Sequence, residues 1–304
     1  MIYTCTMNTA IDLYVALDHL TPDKVNRTHD EDYQPNGKGV NVSIMLKKMG
    51  IDNTALGFIG GFSGRYIADA LQDLQITTDF IEVDGITRIN VFVNADEEYK
   101  IVNQGPMIET GEVKQLLQKI QALTADDILI VSGSLPKGVP ESVITEIAEI
   151  CKKQHVNLVL DTSVNSVLDT LPYQPFLLKP NDEEIARWFN KEHNLTKNEL
   201  LECGQRLLEK GAQHVIISRG ERGALYLSKE VKLNANAPQG KVVNTACSGD
   251  SLLATFIAKQ KQTDSIEESL AYAVATGAST AFSKGLSDLE DVPALRKQIK
   301  VTTL

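Results

Sequence analysis

The chain has 304 residues, 42% of them hydrophobic and 23% charged, with a formal net charge of −10. That length and composition suit a globular protein with a full core, and the acidic balance argues against non-specific nucleic-acid or anionic-membrane binding. No apolar run approaches the ~20 residues that cross a bilayer. Met1–Asn8 lacks the basic start and long apolar core of a secretion signal and reads as a first strand. Residues 9–35 hold Tyr14-Val15-Ala16-Leu17 and polar turns without helical periodicity. Helices are expected over Asn41–Met49 and Arg65–Leu74. Ile89–Val93, the turn Asn94–Glu97 and Tyr99–Val102 carry a hairpin signature. These pieces imply a small β-rich lid, from about 9–36 and 86–105, set within one α/β domain spanning 1–304.

The second half alternates strand and helix. Ile128–Val131, Val156–Leu160, Phe176–Leu178 and Val215–Ile217 read as buried strands, with helical patterns at Glu141–Lys153, Asp182–Asn190 and Lys197–Lys210. Such alternation predicts βαβ units and a mostly parallel sheet covered on both faces. Each of these strands is followed by small, polar or charged residues: Ser132–Pro136, Asp161–Ser163, Lys179–Asn181 and Ser218–Gly220. In open α/β sheets the ligand crevice lies at those strand ends.

The four cysteines (Cys5, Cys151, Cys203, Cys247) are scattered, which suits reduced thiols in a cytoplasm, and no histidines pair at ligand spacing. Gly57–Gly64 is not a GxGxxG turn, and Gly37-Lys38-Gly39 is not a Walker A loop, so a nucleotide site must be of another kind. In Asn36–Val42 the glycines permit close approach, Lys38 offers charge and Asn41 can bond sugar hydroxyls; a flexible turn is the plainer alternative. Asn181–Glu184 opens a helix with acidic residues that either organise hydrated Mg²⁺ or only complement the helix dipole, the plain role being favoured for Glu183. Arg27 and Arg88 are candidates for clamping a phosphate, with surface ion pairing as the alternative. Lys241–Ser251 reads as a strand, a tight turn and a helix start carrying Asp250. An Asp among helix N-terminal N–H groups either caps the helix or takes a proton from an alcohol beside a bound phosphate.

In this order along the chain, these segments resemble the PfkB/ribokinase family of sugar kinases. The early glycine motif is Asn36–Val42, the SGSLP turn is Ser132–Pro136, and the K-P-N-x-x-E element is Lys179–Glu184. The nucleotide loop S-x-G-x-x-G matches Ser218, Gly220 and Gly223, and the usual G-A-G-D stands as Cys247-Ser248-Gly249-Asp250. Within the family, Ile2–Asn8, Ala10-Ile11-Asp12 and Val25-Asn26-Arg27 are most similar to the branch of 1-phosphofructokinases and tagatose-6-phosphate kinases. Thr87–Val91 with Asn103–Pro106 leans toward fructose 1-phosphate.

The resemblance implies a ribokinase-like three-layer α/β sandwich with a β-sheet lid, ATP and Mg²⁺ as cofactors with room for a monovalent cation such as K⁺, and a homodimer formed through the lid. It implies Asp250 as base, with Cys247, Ser248 and Gly249 forming a backbone anion hole. Asp12, Gly37, Lys38, Gly39 and Asn41 would line the sugar pocket, and Arg27, Arg88 and Ser134 would hold the existing phosphate. Asn181 and Glu184 would organise Mg²⁺; Lys179, Asn181, Ser218, Gly220, Gly223 and Gly277 would serve ATP. The departures are Cys247 and Asn36, where the family commonly has glycine, and Thr9 where it often has Pro. Cys247 is either a thiol acidified by the helix terminus or a small residue tolerated at the turn. A low-turnover sugar-phosphate sensor is the reading from another class.

Overall fold

A computed structural model gives the structure, describing residues 1–192 and 194–304. The first half comprises β1 (Ile2–Thr6), β2 (Ala10–Ala16), β3 (Asp30–Asn36), α1 (Lys38–Lys48), β4 (Asn53–Ile59), α2 (Gly61–Asp73), β5 (Thr77–Thr78), β6 (Ile81–Glu82), β7 (Arg88–Asn94), β8 (Glu98–Ile101) and α3 (Thr110–Gln121). The middle runs through β9 (Ile128–Ser132), α4 (Ser142–Gln154), β10 (Asn157–Asp161), β11 (Leu177–Leu178), α5 (Asp182–Trp188), α6 (Lys197–Lys210) and β12 (His214–Ser218). The chain closes with β13 (Ala224–Leu227), β14 (Lys232–Ala235), α7 (Ser248–Gln260), α8 (Ile266–Ala281), α9 (Val292–Arg296) and β15 (Val301–Thr303).

The main sheet has the order β15-β14-β13-β12-β11-β10-β9-β1-β4-β5, with β6 also beside β4. It is parallel from β5 to β12 and antiparallel from β12 to β15. The four apolar runs therefore sit where the alternation placed them. Successive side chains of a strand point to opposite faces, and here both faces are apolar. Leu129, Val131, Leu158, Leu160, Val215 and Ile217 pack with α3 to α6 residues such as Leu116, Ile144, Ile185 and Leu207. Ile130, Val159 and Ile216 face the other way, against Met45, Leu253, Phe256, Ile257, Leu270 and Leu295. Two apolar faces force helices onto both sides, which yields three layers.

The lid is the second sheet, ordered β3-β2-β7-β8. Its middle pair, β2 and β7, comes from the two separated segments and runs parallel, with Asp12 opposite Asn90. The expected hairpin is β7 with β8.

Local signals explain where elements start and stop. Thr196 and Glu199 form a capping box at the start of α6, and Gly211 at φ 134° ends it, so its bounds match those expected. Helix α1 begins three residues before the expected Asn41, because Gly37 at φ 123° turns the chain and its carbonyl accepts the Asn41 N–H at 2.9 Å. Gly57 is tightly fitted: a Cβ there would lie 1.9 Å from the Thr6 carbonyl oxygen of neighbouring β1. One expectation fails. Lys241–Thr245 forms no strand; the Val243 and Asn244 N–H groups both donate to the Ala281 carbonyl at the end of α8, so they are not free for a ladder. Helix α8 and the antiparallel edge β13–β15 lie outside the expected elements.

Candidate active site

The strand ends, the N-termini of α1 and α7, and the lid enclose a cavity of about 1100 Å³. Its lining includes Asp12, Lys38, Asn41, Lys179, Asn181, Glu184, Ser218, Gly220, Gly223, Gly277 and the whole turn Cys247–Asp250. Most residues expected at a site thus converge on one chamber, whose size suits a nucleotide together with a small sugar phosphate.

Asp250 occupies the first turn of α7 and is buried. The Asn41 amide donates to its Oδ2 at 2.8 Å. Burial, then the nearby Asp161 charge, push its pKa up to about 6, while Lys38, Asn41 and Lys179 pull it back. A carboxylate so placed is ionised at neutral pH and retains basicity, which suits general-base work. The first-turn N–H groups of α7 have no intrahelical acceptors and point an anion-binding surface into the cavity. Lys179 Nζ lies close over Gly249, only 3.2 Å from where a Cβ would stand, so the missing side chain keeps that ammonium beside the turn.

Cys247 sits just before the helix at φ 61°, left-handed backbone that costs an L-residue roughly 1–2 kcal/mol. It thus occupies a glycine-like conformation. Its thiol is not acidified: burial first, then Asp250 and Asp12, push it up from the usual range. The reactive-thiol alternative is corrected accordingly, since the nearby carboxylates oppose the helix terminus. Sγ instead accepts from the Asn41 amide at 3.2 Å.

Beneath the turn lies a charge cluster the sequence reading did not assemble. Asp161, fully buried at the end of β10, contacts Lys38 Nζ at 3.1 Å and Lys179 Nζ at 3.2 Å. Glu184 Oε1 approaches Lys38 at 3.9 Å. Although Asp161 is buried, the two ammonium groups hold its pKa below the usual carboxylate range; Lys38 is pushed up, chiefly by Asp161. Asp161 had appeared only as part of a polar strand-end loop. A charged residue directly after the apolar run Val156–Leu160 was the available signal.

On the lid side of the cavity, Asp12 accepts from Asn90 at 2.8 Å and from Asn36 at 2.5 Å. Burial raises its pKa. The Arg88 guanidinium donates to three main-chain carbonyls, of Asn8 at 2.9 Å, Asn103 at 3.2 Å and Thr9 at 3.4 Å. Two of its five N–H groups stay available for a phosphate. Asn8 also donates to Ser134 at 3.1 Å, so Ser134 and Arg88 share this corner. Gly37 and Gly39 do not line the cavity; they let α1 abut β1, where a Cβ would fall 2.5 and 2.4 Å from Thr6. Arg88 and Ser134 stand beside the cavity and are not part of its lining, and Arg27, exposed on the lid loop between β2 and β3, does not reach the cavity of its own chain.

The cavity lining also takes in Ser218, Gly220 and Gly223, expected to serve ATP, together with the apolar Val242, Val274, Ala278 and Phe282. Gly277 admits the start of α7, since a Cβ there would stand 3.0 Å from the Ser248 carbonyl. Asn181 and Glu184 cap α5 reciprocally, Glu184 N–H to Asn181 at 2.8 Å and Asn181 N–H to Glu184 Oε2 at 3.0 Å. Among the described residues, no three His, Cys, Asp or Glu side chains form a metal cage. Glu184 Oε1 is nevertheless outside the cap, which fits Mg²⁺ that keeps its waters and binds mainly through phosphates.

A model of the "pfkB family carbohydrate kinase" matches residues 3–293. The chain belongs to this family. It is 52% identical to the D-tagatose-1-phosphate kinase of Bacillus licheniformis and 39% identical to the 1-phosphofructokinase of Bacillus subtilis, each over the full length of both chains. Among solved structures, phosphofructokinase-2 of Escherichia coli in complex with potassium superposes with a TM-score of 0.91 at 26% identity, covering 97% of this chain and 98% of that one. A tetrameric inhibited form of the same enzyme superposes at 0.89. As a member of the pfkB family, the protein is a phosphotransferase acting on a sugar phosphate, with the ribokinase-like fold and small second sheet described above. A kinase of this family implies ATP and Mg²⁺. Among the described residues, no helix is long and apolar enough to cross a membrane.

Proposed function

We propose that this pfkB-family member transfers the ATP γ-phosphoryl group to the C6 hydroxyl of a ketohexose 1-phosphate. The supporting observation is Asp250, held by Asn41 in the first turn of α7 and lining the same cavity as Asp12. Two of the relatives named above are called after ketohexose 1-phosphates, which favours that class over a 6-phosphate. D-Fructose and D-tagatose 1-phosphates differ only in configuration at C4. The fructose compound, giving fructose 1,6-bisphosphate, is the substrate toward which the sequence leaned; the 52% relative adds the tagatose compound beside it. Nothing in the site favours a low-turnover sensor.

In this reading Asp12 orients ring hydroxyls while Arg88 and Ser134 receive the 1-phosphate. Asp250 takes the C6–OH proton as that oxygen bonds to the γ-phosphorus and the bond to the ADP oxygen breaks. The α7 N–H groups and Lys179 stabilise charge on the transferring group. Lys38, Lys179 and the carboxylates of Asp161, Glu184 and Asp250 leave two cationic groups against three anionic ones. Mg²⁺, organised by Glu184 and Asn181, would supply the charge neutralisation a triphosphate needs there.

ADP release with Mg²⁺, measured with and without K⁺, is expected for fructose 1-phosphate and tagatose 1-phosphate. It should be at least tenfold weaker for tagatose 6-phosphate, fructose 6-phosphate and free sugars. Turnover confined to 6-phosphates or free sugars would reverse the assignment of the phosphate corner.

We further propose that the lid pairs between two copies of the chain. Val25 (82% exposed), Tyr33, Ile101 (52% exposed) and Val102 leave apolar surface on it, and pairing would place Arg27 near a partner's lid. Sedimentation should give twice the 33.4 kDa chain mass; a monomer at micromolar concentration would rule this out.

A further inference from the structure

The sugar-binding carboxylate and the base are joined by an unbroken line of amides. Asp12 and Asn90 belong to the lid strands β2 and β7, whereas Asn41 and Asp250 belong to α1 and α7 of the main body. Asn36 is the last residue of lid strand β3, one residue before the glycine that opens α1. Its amide nitrogen donates to Asp12 Oδ2 at 2.5 Å. Its amide oxygen accepts from Asn41 at 3.1 Å and from the Gly37 N–H at 2.5 Å. Asn41 then donates onward to Asp250 at 2.8 Å.

The orientation of this amide is dictated by its neighbours. Turned over, its NH₂ would meet two N–H donors and its oxygen would meet a carboxylate. No other side chain of this length offers a donor toward Asp12 and an acceptor toward Asn41. An Asp would set a second anion against Asp12, and a Gly or Ser would lose one or both bonds.

We propose that Asn36 is a positioning residue that couples the lid's sugar-binding carboxylate to the base, by fixing the Asn41 amide that orients Asp250. This rests on the reading of Asp250 as base. The two Asn41 amide hydrogens face three acceptors, Asn36 Oδ1 at 3.1 Å, Cys247 Sγ at 3.2 Å and Asp250 Oδ2 at 2.8 Å, and the hold of Asn36 on one hydrogen keeps the other on the Asp250 carboxylate. Without Asn36 the buried Asn41 amide is free to turn further onto Cys247 Sγ, already 3.2 Å away, and Asp250 loses its one neutral donor. The groups facing Asp250 are Lys38 and Asn41 from α1, Asp161 from the end of β10, Lys179 after β11, and Cys247 from its own turn. The two lysines and Asp161 are untouched by a change at Asn36, so the shift has one source.

The test measures kcat and KM for fructose 1-phosphate and tagatose 1-phosphate against pH in Asn36→Gly, Asn36→Leu and Asp250→Asn. Asn36→Gly is expected to lower kcat about tenfold, the effect of one lost charge-assisted hydrogen bond. The acid limb of its kcat profile should move up by about half a pH unit. Asn36→Leu keeps the size, loses both side-chain bonds and adds no charge, so it should move the limb by a similar amount; it decides the matter if Asn36→Gly fails to fold. An acid limb unchanged in both variants, while Asp250→Asn abolishes turnover, overturns the coupling alone. Retained turnover in Asp250→Asn overturns the base assignment and the coupling with it.

Discussion

Replacing Asp250 with Asn should lower kcat by about 10²–10⁴-fold, the range for removing a general base, while ATP affinity changes little. The wild-type rate should fall as pH drops through about 6, where the buried carboxylate takes up its proton. The same substitution should stabilise the fold. Asp250 has a folded pKa raised from 3.8 to about 6, so its ionisation opposes folding, with the cost growing between those values and complete above the upper one. At about 1.4 kcal/mol per pH unit this is on the order of 2–3 kcal/mol at pH 7. Asp250→Asn, neutral at every pH, should therefore unfold at a higher temperature than wild type at pH 7, and lose that advantage at pH 4. An unaltered rate would remove Asp250 from the chemistry. An unaltered melting temperature at both pH values would show that its environment tolerates the charge without strain.

Asp161→Ala should have the opposite effect on stability. It would leave Lys38 and Lys179, now both anchored on Asp161, as two close ammonium groups without their shared anion. Removing one partner of a buried ion pair costs about 3–5 kcal/mol, roughly 5–10 °C in a chain of this size. The sign with pH follows from the depressed Asp161 pKa. Its stabilisation is complete above the unfolded value near 3.9 and is lost as pH falls through the lower folded value. The wild-type advantage over Asp161→Ala should accordingly persist across neutral and mildly acid pH and vanish only in strong acid. Equal melting temperatures at pH 7 would mean that solvent, not Asp161, satisfies the two lysines.

Much of this architecture was written in local pattern. The apolar runs of β9, β10 and β12 alternate between two packed faces, so their continuous hydrophobicity is what a sandwiched sheet requires. The Thr196/Glu199 cap and Gly211 delimit α6 without tertiary help. Lys241–Thr245 misled because β-branched residues carry strand propensity even where tertiary partners use their amides differently. Helix α8 lacked a polar stripe, being buried on most sides between α7 and the sheet, so its periodicity was faint. In the site, Asp250, Lys38 and Asn41 were legible as motif residues. The Asp161 cluster and the Asn36 bridge were not, because each joins residues brought together only by the crossing of strands and helices far apart in the chain. Arg27 was named for its charge, and its own chain's cavity does not receive it.

The two faces of the sheet are completed at different times during synthesis. The layer of α3, α4, α5 and α6 derives from residues 110–210, and it can close over β1, β4, β9 and β10 soon after they leave the ribosome. The opposite layer combines α1, made first, with α7, α8 and α9, made last. Ile2, Ile130, Val159 and Ile216 thus wait on the nascent chain for Leu253, Phe256 and Leu270. For most of translation the growing polypeptide presents a broad greasy surface of the kind that recruits chaperones or aggregates. The last quarter of the message both seals that surface and delivers Asp250, so a prematurely terminated chain is inactive and sticky for one and the same reason.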